Sequence, residues 1–407
     1  MLTTLIPLFD ENMSVRAYSL FTQKLNYLME PRYYLIARLD GSNSIEGMEV
    51  IENVGMDALS AEKDIFVPIS NVSLFANISE TCSVKHGCIT LLMDNEVKPT
   101  EMYITRLKEL KDEGYKLAIR KIRLTKVEEY APILELIDYF YMNMEKDDAR
   151  QLKAYMQKNY PNVALVAGNI CSKETFDMLS DDGGYSLFEG SFYRMPVTVG
   201  NREIAPLKIT YLELLNTVNN PDFDLADAAD IIGRDTALVI SMLKMVNNMT
   251  YNSQITTIRH AVAMLGQKEL RRWTSTAITK QLCKDKPSEI MRLSLIRAKF
   301  AENLADTFGL SSRSSELFLM GLFSVLDIIL DRPMSEALQN INVSQAIQDA
   351  LISDEGDLAP VLDFIRNYES ADWTEVFRIM ILKNIQNPQI YAAFKDSLEW
   401  YQKLIAE

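Results

Sequence analysis

Two histidines, His86 and His260, and four cysteines, Cys82, Cys88, Cys171 and Cys283, are all that this 407-residue chain offers as imidazole or thiolate. No CxxC pair occurs, and the cysteine spacings fit no zinc site. A mechanism that needs a cluster of imidazole ligands is excluded, and a Ser–His–Asp arrangement is disfavoured. The cysteines read as reduced, mostly buried thiols, and His260 as a helix-surface or capping residue. Two basic features remain. One is the adjacent pair Arg120–Lys121. The other is a stretch containing Lys268, Arg271, Arg272, Lys280 and Lys284, a candidate interaction patch for an acidic partner. The plainer reading of that stretch is solvated helix faces and intramolecular ion pairs. Trp273, next to it, is expected in a core.

The charge balance narrows the partners. The chain carries a formal net charge of -14, so it repels a polyanion, and both nucleic acid and a membrane surface are disfavoured. Its most apolar window, Leu317–Leu330, spans 14 residues and contains Asp327, too short to cross a bilayer. The opening MLTTLIPLFDENMS has no basic stretch and no small-residue cleavage site, so a cytoplasmic location is expected.

The elements that must position these residues change in type along the chain. Short apolar runs at Thr4–Phe9, Tyr34–Arg38, Ile65–Ile69, Cys88–Leu92, Lys116–Ile119, Tyr139–Met142, Ala164–Ala167 and Ser186–Phe188 read as strands. Helices fit between several of them, at Thr100–Glu113, Lys126–Ile137 and Lys146–Lys158. Such alternation predicts a parallel sheet or barrel with helices outside. From Pro206 onward only helices are expected. Asp224 and Asp235 are placed to cap two of them, and Gly266 to end another. The fold class is therefore α/β followed by an all-α bundle. The domains are 1–200 and 201–407, joined near VTVGNREIA at residues 197–205.

Particular segments resemble a known family. IPLFDENMSVRAYSLFTQ (6–23), GYKLAIRKI (114–122) and FEGSFYRMP (188–196) resemble the opening, a central element and the closing motif of EAL domains, which are cyclic-di-GMP phosphodiesterases. NNPDFDLADAADIIGRDTALVISMLKMVNN, continuing into ITTIRHAVAMLGQKELRRW (255–273), resembles the start of an HDOD domain. GLFSVLD (321–327) sits where related HD phosphohydrolases carry GLLHDIG. The order matches that of bacterial EAL–HDOD signalling proteins. The resemblance implies a shortened or modified TIM-type barrel and then an HD-related helical bundle. The stretch between Gln23 and Ile65 is short for an EAL domain, which leaves open whether the barrel is complete, has an open edge or carries a reshaped groove.

EAL enzymes hold two divalent cations on carboxylates at the strand ends. Carried over to this sequence, the vestigial positions are Ser19, Gln23, Arg120, Lys121, Tyr141, Asn143 and Glu189, with looser matches at Pro68, Leu92, Gly168 and Cys171. Two metal-binding aspartates become Arg120 and Lys121. At about 5 Å and an effective dielectric near 20, each cation repels a dication by about 6 kcal/mol. In the second half Ser324 and Val325 stand where an HD pair would be, and Asp327 remains. The resemblance thus implies a pseudoenzyme with no metal or cofactor. Its expected role is bacterial signal transduction through other signalling proteins, self-association being an analogy from EAL domains. The alternative is a receptor that binds cyclic-di-GMP or another nucleotide without hydrolysis. Were Arg120 and Lys121 an anion site, strand alternation would let one of them face the pocket.

Overall fold

The computed structural model describes residues 1–24, 28, 45–78, 82–146, 148–198, 206–220, 222–249 and 255–406. The expected strand Tyr34–Arg38 lies outside them, as does most of the junction at 197–205.

Eight strands close into a barrel: β1 (Leu2–Phe9), β2 (Val15–Gln23), β3 (Asp64–Pro68), β4 (Ile89–Met93), β5 (Lys116–Ile119), β6 (Tyr139–Asn143), β7 (Ala164–Ile170) and β8 (Leu187–Gly190). Strands β2 to β8 are parallel, and β1 runs against both its neighbours, pairing Ile6 with Ser19 and Leu8 with Glu189. The ring is closed, which answers the question the short Gln23–Ile65 stretch left open. The strand that sequence pattern missed is β2. Ala17 through Leu20 are all buried, and a strand covered on both faces loses the alternation that marks one. The barrel interior is filled, not hollow. Leu8, Ala17, Phe66, Leu92, Ala118, Tyr141, Val166 and Leu187, one from each strand, form a single apolar layer. The Phe66 and Tyr141 rings meet edge-on at 5.7 Å.

Outside the barrel the helix Glu101–Asp112 turns into β5 through Gly114, at φ 96°. The segment expected as a helix over Lys126–Ile137 is instead a 3-10 turn, Leu124–Tyr130, followed by the short helix Ala131–Leu134.

Contacts divide the chain into two compact units, Met1–Met195 with Phe364–Gln402, and Pro196–Asp363 with Lys403–Glu407. The expected domains are 1–200 and 201–407; the contact division places residues 364–402 in the first unit. Residues 364–402 pack with the barrel. Fully buried Tyr368 accepts the Thr3 N–H of β1 at 3.0 Å. Its ring also packs against Trp373 and Phe394. Arg194 bridges Glu369 at 3.0 Å, and Asn387 donates to the Lys24 carbonyl. Helical periodicity shows that a face is apolar; it does not show which partner the face covers.

The second unit is helical. Asp224 and Asp235 cap their helices as expected, accepting from Ala226 N–H and from Ala237 and Leu238 N–H. The segment Ile258–Leu282 breaks at Gly266 (φ 71°). Helices Ser288–Asn303 and Ser314–Phe323 cross closely at Gly321, where a Cβ would stand 2.5 Å from the Arg297 carbonyl oxygen. Among the described residues no helix is long and apolar enough to cross a membrane.

Candidate functional site: the mouth of the barrel

Parallel strands deliver their C-terminal ends to one face of a barrel, and the loops that follow them build sites there. Here those ends border a cavity of about 500 Å³, within the usual range for small-molecule sites. Asn95 follows β4. Arg120, Lys121, Ile122 and Arg123 follow β5. Tyr141, Met142, Asn143 and Lys146 come from β6 and its turn, Gly168 and Asn169 from β7, and Glu189 from β8. The helix Ala149–Asn159 and the residue before it supply Asp148, Ala149 and Leu152.

Of the seven vestigial positions, six come together here. Ser19 Oγ is 3.1 Å from Tyr141 Oη and donates to Glu189 Oε2 at 3.1 Å. Arg120 lies near enough to act electrostatically on both Tyr141 and Glu189. Lys121 and Asn143 line the opening. Gln23 does not join them: it pairs with Leu2 at the end of β2, outside the lining. Of the looser positions, Gly168 lines the cavity, Leu92 lies in the apolar layer, Pro68 ends β3, and Cys171 is exposed just beyond β7.

Arg120 and Lys121 both face the cavity, which corrects the expectation that only one would. The strand ends at Ile119, and Lys121 adopts φ 64°, so alternation does not carry on through the pair. Asn169 has the same positive φ of 64°, beside an irregularity in the β7–β8 pairing. Of the two, the lysine is the residue type that rarely takes a positive φ, whereas asparagine adopts it readily.

The electrostatics follow from burial and these neighbours. Burial pushes the Glu189 carboxyl above its ordinary value, opposed by the Ser19 hydrogen bond, the Arg120 charge and Tyr141. Burial also raises Tyr141 well above a normal phenol, and the Glu189 charge adds to it. For Asp94, burial works upward, but the bond to Lys121 at 2.8 Å and the charges of Lys121 and Arg120 bring it below the usual range. Four cationic side chains, Arg120, Lys121, Arg123 and Lys146, line the cavity against two carboxylates, Asp148 and Glu189. The pocket is thus locally positive in a chain of net charge -14.

A divalent-metal centre does not fit these residues. Among the described residues no group of three or more His, Cys, Asp or Glu could hold a metal ion. Glu189 is engaged by Ser19, Asp94 by Lys121, and Asp148 by the Leu124 N–H. Hard cations need several free anionic oxygens.

Sequence reasoning missed Arg123, Lys146, Asn95 and Asn169. The available signal was position: Asn95, Arg123 and Lys146 follow closely on the end of a strand, and Asn169 is the penultimate residue of one.

The basic stretch of the helical unit does not form one open patch. Arg271 donates to the Val218 and Asn220 carbonyls and lies over Phe223. Arg272 bridges Glu302 and lies over Phe318. Lys280 donates to the Leu404 carbonyl. Lys268 and Lys284 are exposed. Intramolecular pairing therefore accounts for three of the five. Exposed His260 has its backbone N–H capped by Thr257.

Where an HD pair would stand, the helical unit is filled. The buried Arg297 guanidinium donates to Ser324 Oγ at 3.1 Å, and Ser324 donates to the Gly321 carbonyl. Asp327 accepts the Val197 N–H at 3.0 Å.

The chain is a closed eight-stranded barrel followed by a helical region that carries an HDOD domain. The HDOD domain family matches residues 204–355. Over 410 residues the chain is 24% identical to the uncharacterized protein YuxH of Bacillus subtilis, covering 98% of this chain and 97% of that protein. It is 26% identical over 333 residues to the cyclic di-GMP phosphodiesterase CdgJ of Vibrio cholerae, covering 80% of this chain and 76% of that protein. Among solved structures it is similar to an EAL domain protein from Listeria monocytogenes, at 13% identity and TM-score 0.36, covering 47% of this chain and 86% of that one. The chain is thus related to proteins of cyclic-di-GMP phosphodiesterase signalling. The expectation that it is no enzyme is corrected by the CdgJ relationship. A relative named for the activity aligns over most of the chain, so replaced positions do not by themselves establish inactivity.

Proposed function

We propose that this chain acts in cytoplasmic cyclic-di-GMP signalling, taking up a cyclic dinucleotide at the barrel mouth and passing the signal to protein partners through its HDOD unit. The observation that supports this most is the cationic cavity of about 500 Å³ at the strand ends, lined by five of the positions matched to the family's site. The name of the CdgJ relative supplies the ligand class. Calorimetric titration of the full chain with cyclic-di-GMP, with chromatographic analysis of the mixture for the linear product, tests it. Micromolar binding is the expected result; absence of heat up to millimolar ligand overturns it. Chromatography reports in the same experiment whether bound dinucleotide is turned over.

A second reading, action through protein contacts alone, is favoured by a groove of about 510 Å³ in the helical unit. Ile240, Met245 and Trp273 line it, and Ile240 is 62% exposed. Trp273, expected in a core, instead helps form this groove. Exposed apolar surface beside a pocket marks interaction sites. Cross-linking of the full chain during the same titration separates the two readings.

A further inference from the structure

We infer that the barrel mouth is a phosphate site in which Arg120, with Lys146 and Arg123 at the rim, holds a phosphoryl group directly where relatives of this class would use metal ions. This rests on the cavity being a dinucleotide pocket, and it names the group held and the residues that hold it.

Three observations carry it. Arg120 Nε is buried and has no hydrogen-bond partner among the described residues. A buried guanidinium N–H left unpaired is costly, and an entering oxyanion supplies the partner it lacks. A guanidinium also matches phosphate oxygens with two parallel donors, which an ammonium cannot do. Lys121 is tied to Asp94, so the pair divides its work: Lys121 fixes the loop, and Arg120 remains for the ligand. The loop's shape is itself held against preference, with positive φ at Lys121. Strain retained at a rim is consistent with side chains being aimed.

The chemistry is that of a phosphate monoester or diester, and its source is either the cyclic dinucleotide or a free phosphate compound. The experiment is calorimetric titration of the full chain in EDTA, using cyclic-di-GMP in one arm and inorganic pyrophosphate in the other. Each arm is run on the native chain, Arg120→Ala, the bulkier Arg120→Gln, and the exposed control Lys126→Ala. Binding is expected without divalent metal, to weaken about ten- to a hundredfold in both Arg120 variants, as loss of a charge-assisted hydrogen bond predicts, and to be unchanged in the control. Thermal unfolding of each variant verifies folding, and Arg120→Gln decides if the alanine variant fails to fold. Pyrophosphate binding that depends on Arg120, without cyclic-di-GMP binding, supports the phosphate site and overturns the dinucleotide reading. Cyclic-di-GMP binding unaffected by Arg120 does the reverse. Binding abolished by EDTA, or no binding in either arm, overturns the inference.

Discussion

At the barrel mouth, polar side chains border a cavity; in the HDOD unit, the polar side chains of Arg297, Ser324 and Asp327 are buried with hydrogen bonds to one another or to backbone. In the helical unit the cluster is part of the core. Gly321 lets two helix backbones approach too closely for any larger residue, and Arg297 and Ser324 satisfy each other within that contact. At the barrel mouth the apolar layer below is equally complete, yet the rim stays open, strained and positive. Two clusters of polar side chains in one chain therefore differ in outcome, one closed into the core and one left open to a cavity.

Paired glycine substitutions give the strongest test of that contrast. Gly321→Ala places a Cβ against the Arg297 carbonyl and is expected to cost about 2–3 kcal/mol by overpacking. Gly168→Ala at the barrel mouth meets the Met142 carbonyl at 3.4 Å and is expected to stay within about 0.5 kcal/mol. Chemical denaturation measures both, and equal costs would remove the distinction. Next in size, Ser324→Val leaves the buried Arg297 guanidinium short of an acceptor and should cost about 2 kcal/mol. Arg120→Ala, by comparison, should alter stability by less than about 1 kcal/mol while changing ligand affinity, the pattern of a side chain kept for binding.

The smallest effect is a pH dependence. Glu189 has a folded pKa raised above its ordinary 4.5. The folded state then holds the proton more tightly, so the stability this group contributes is fully present below 4.5 and is lost as pH rises through the raised folded value. In Glu189→Gln that part of the decline is expected to vanish, seen as a flatter melting temperature against pH than in the native chain. Melting profiles that remain parallel across this window would place the carboxylate in ordinary solvent.

Much of this was legible in the sequence. Apolar runs located seven of the eight strands, and Asp224, Asp235 and Gly266 marked helix ends where the structure has them. Strand β2 was obscured because its middle, Ala17 to Leu20, is buried on both faces. The destination of the last helices was obscured because Tyr368 and Phe394 look like any apolar helix face until Thr3 and β1 lie beside them. At the site, residue types gave the positive charge. The entry of both Arg120 and Lys121 into one cavity depends on a backbone reversal at Lys121 that its residue type does not announce.

Residues 364–402 belong with a barrel whose strands end before residue 195. On the ribosome, β1 therefore emerges before Tyr368 and must wait for it until the intervening helical unit has been synthesised. An N-terminal fragment cut at residue 200 lacks the partner of the Thr3 N–H. Messages truncated late in translation should yield chains that expose the apolar flank of β1 to proteases, so only products carrying the last helices would persist in the cell.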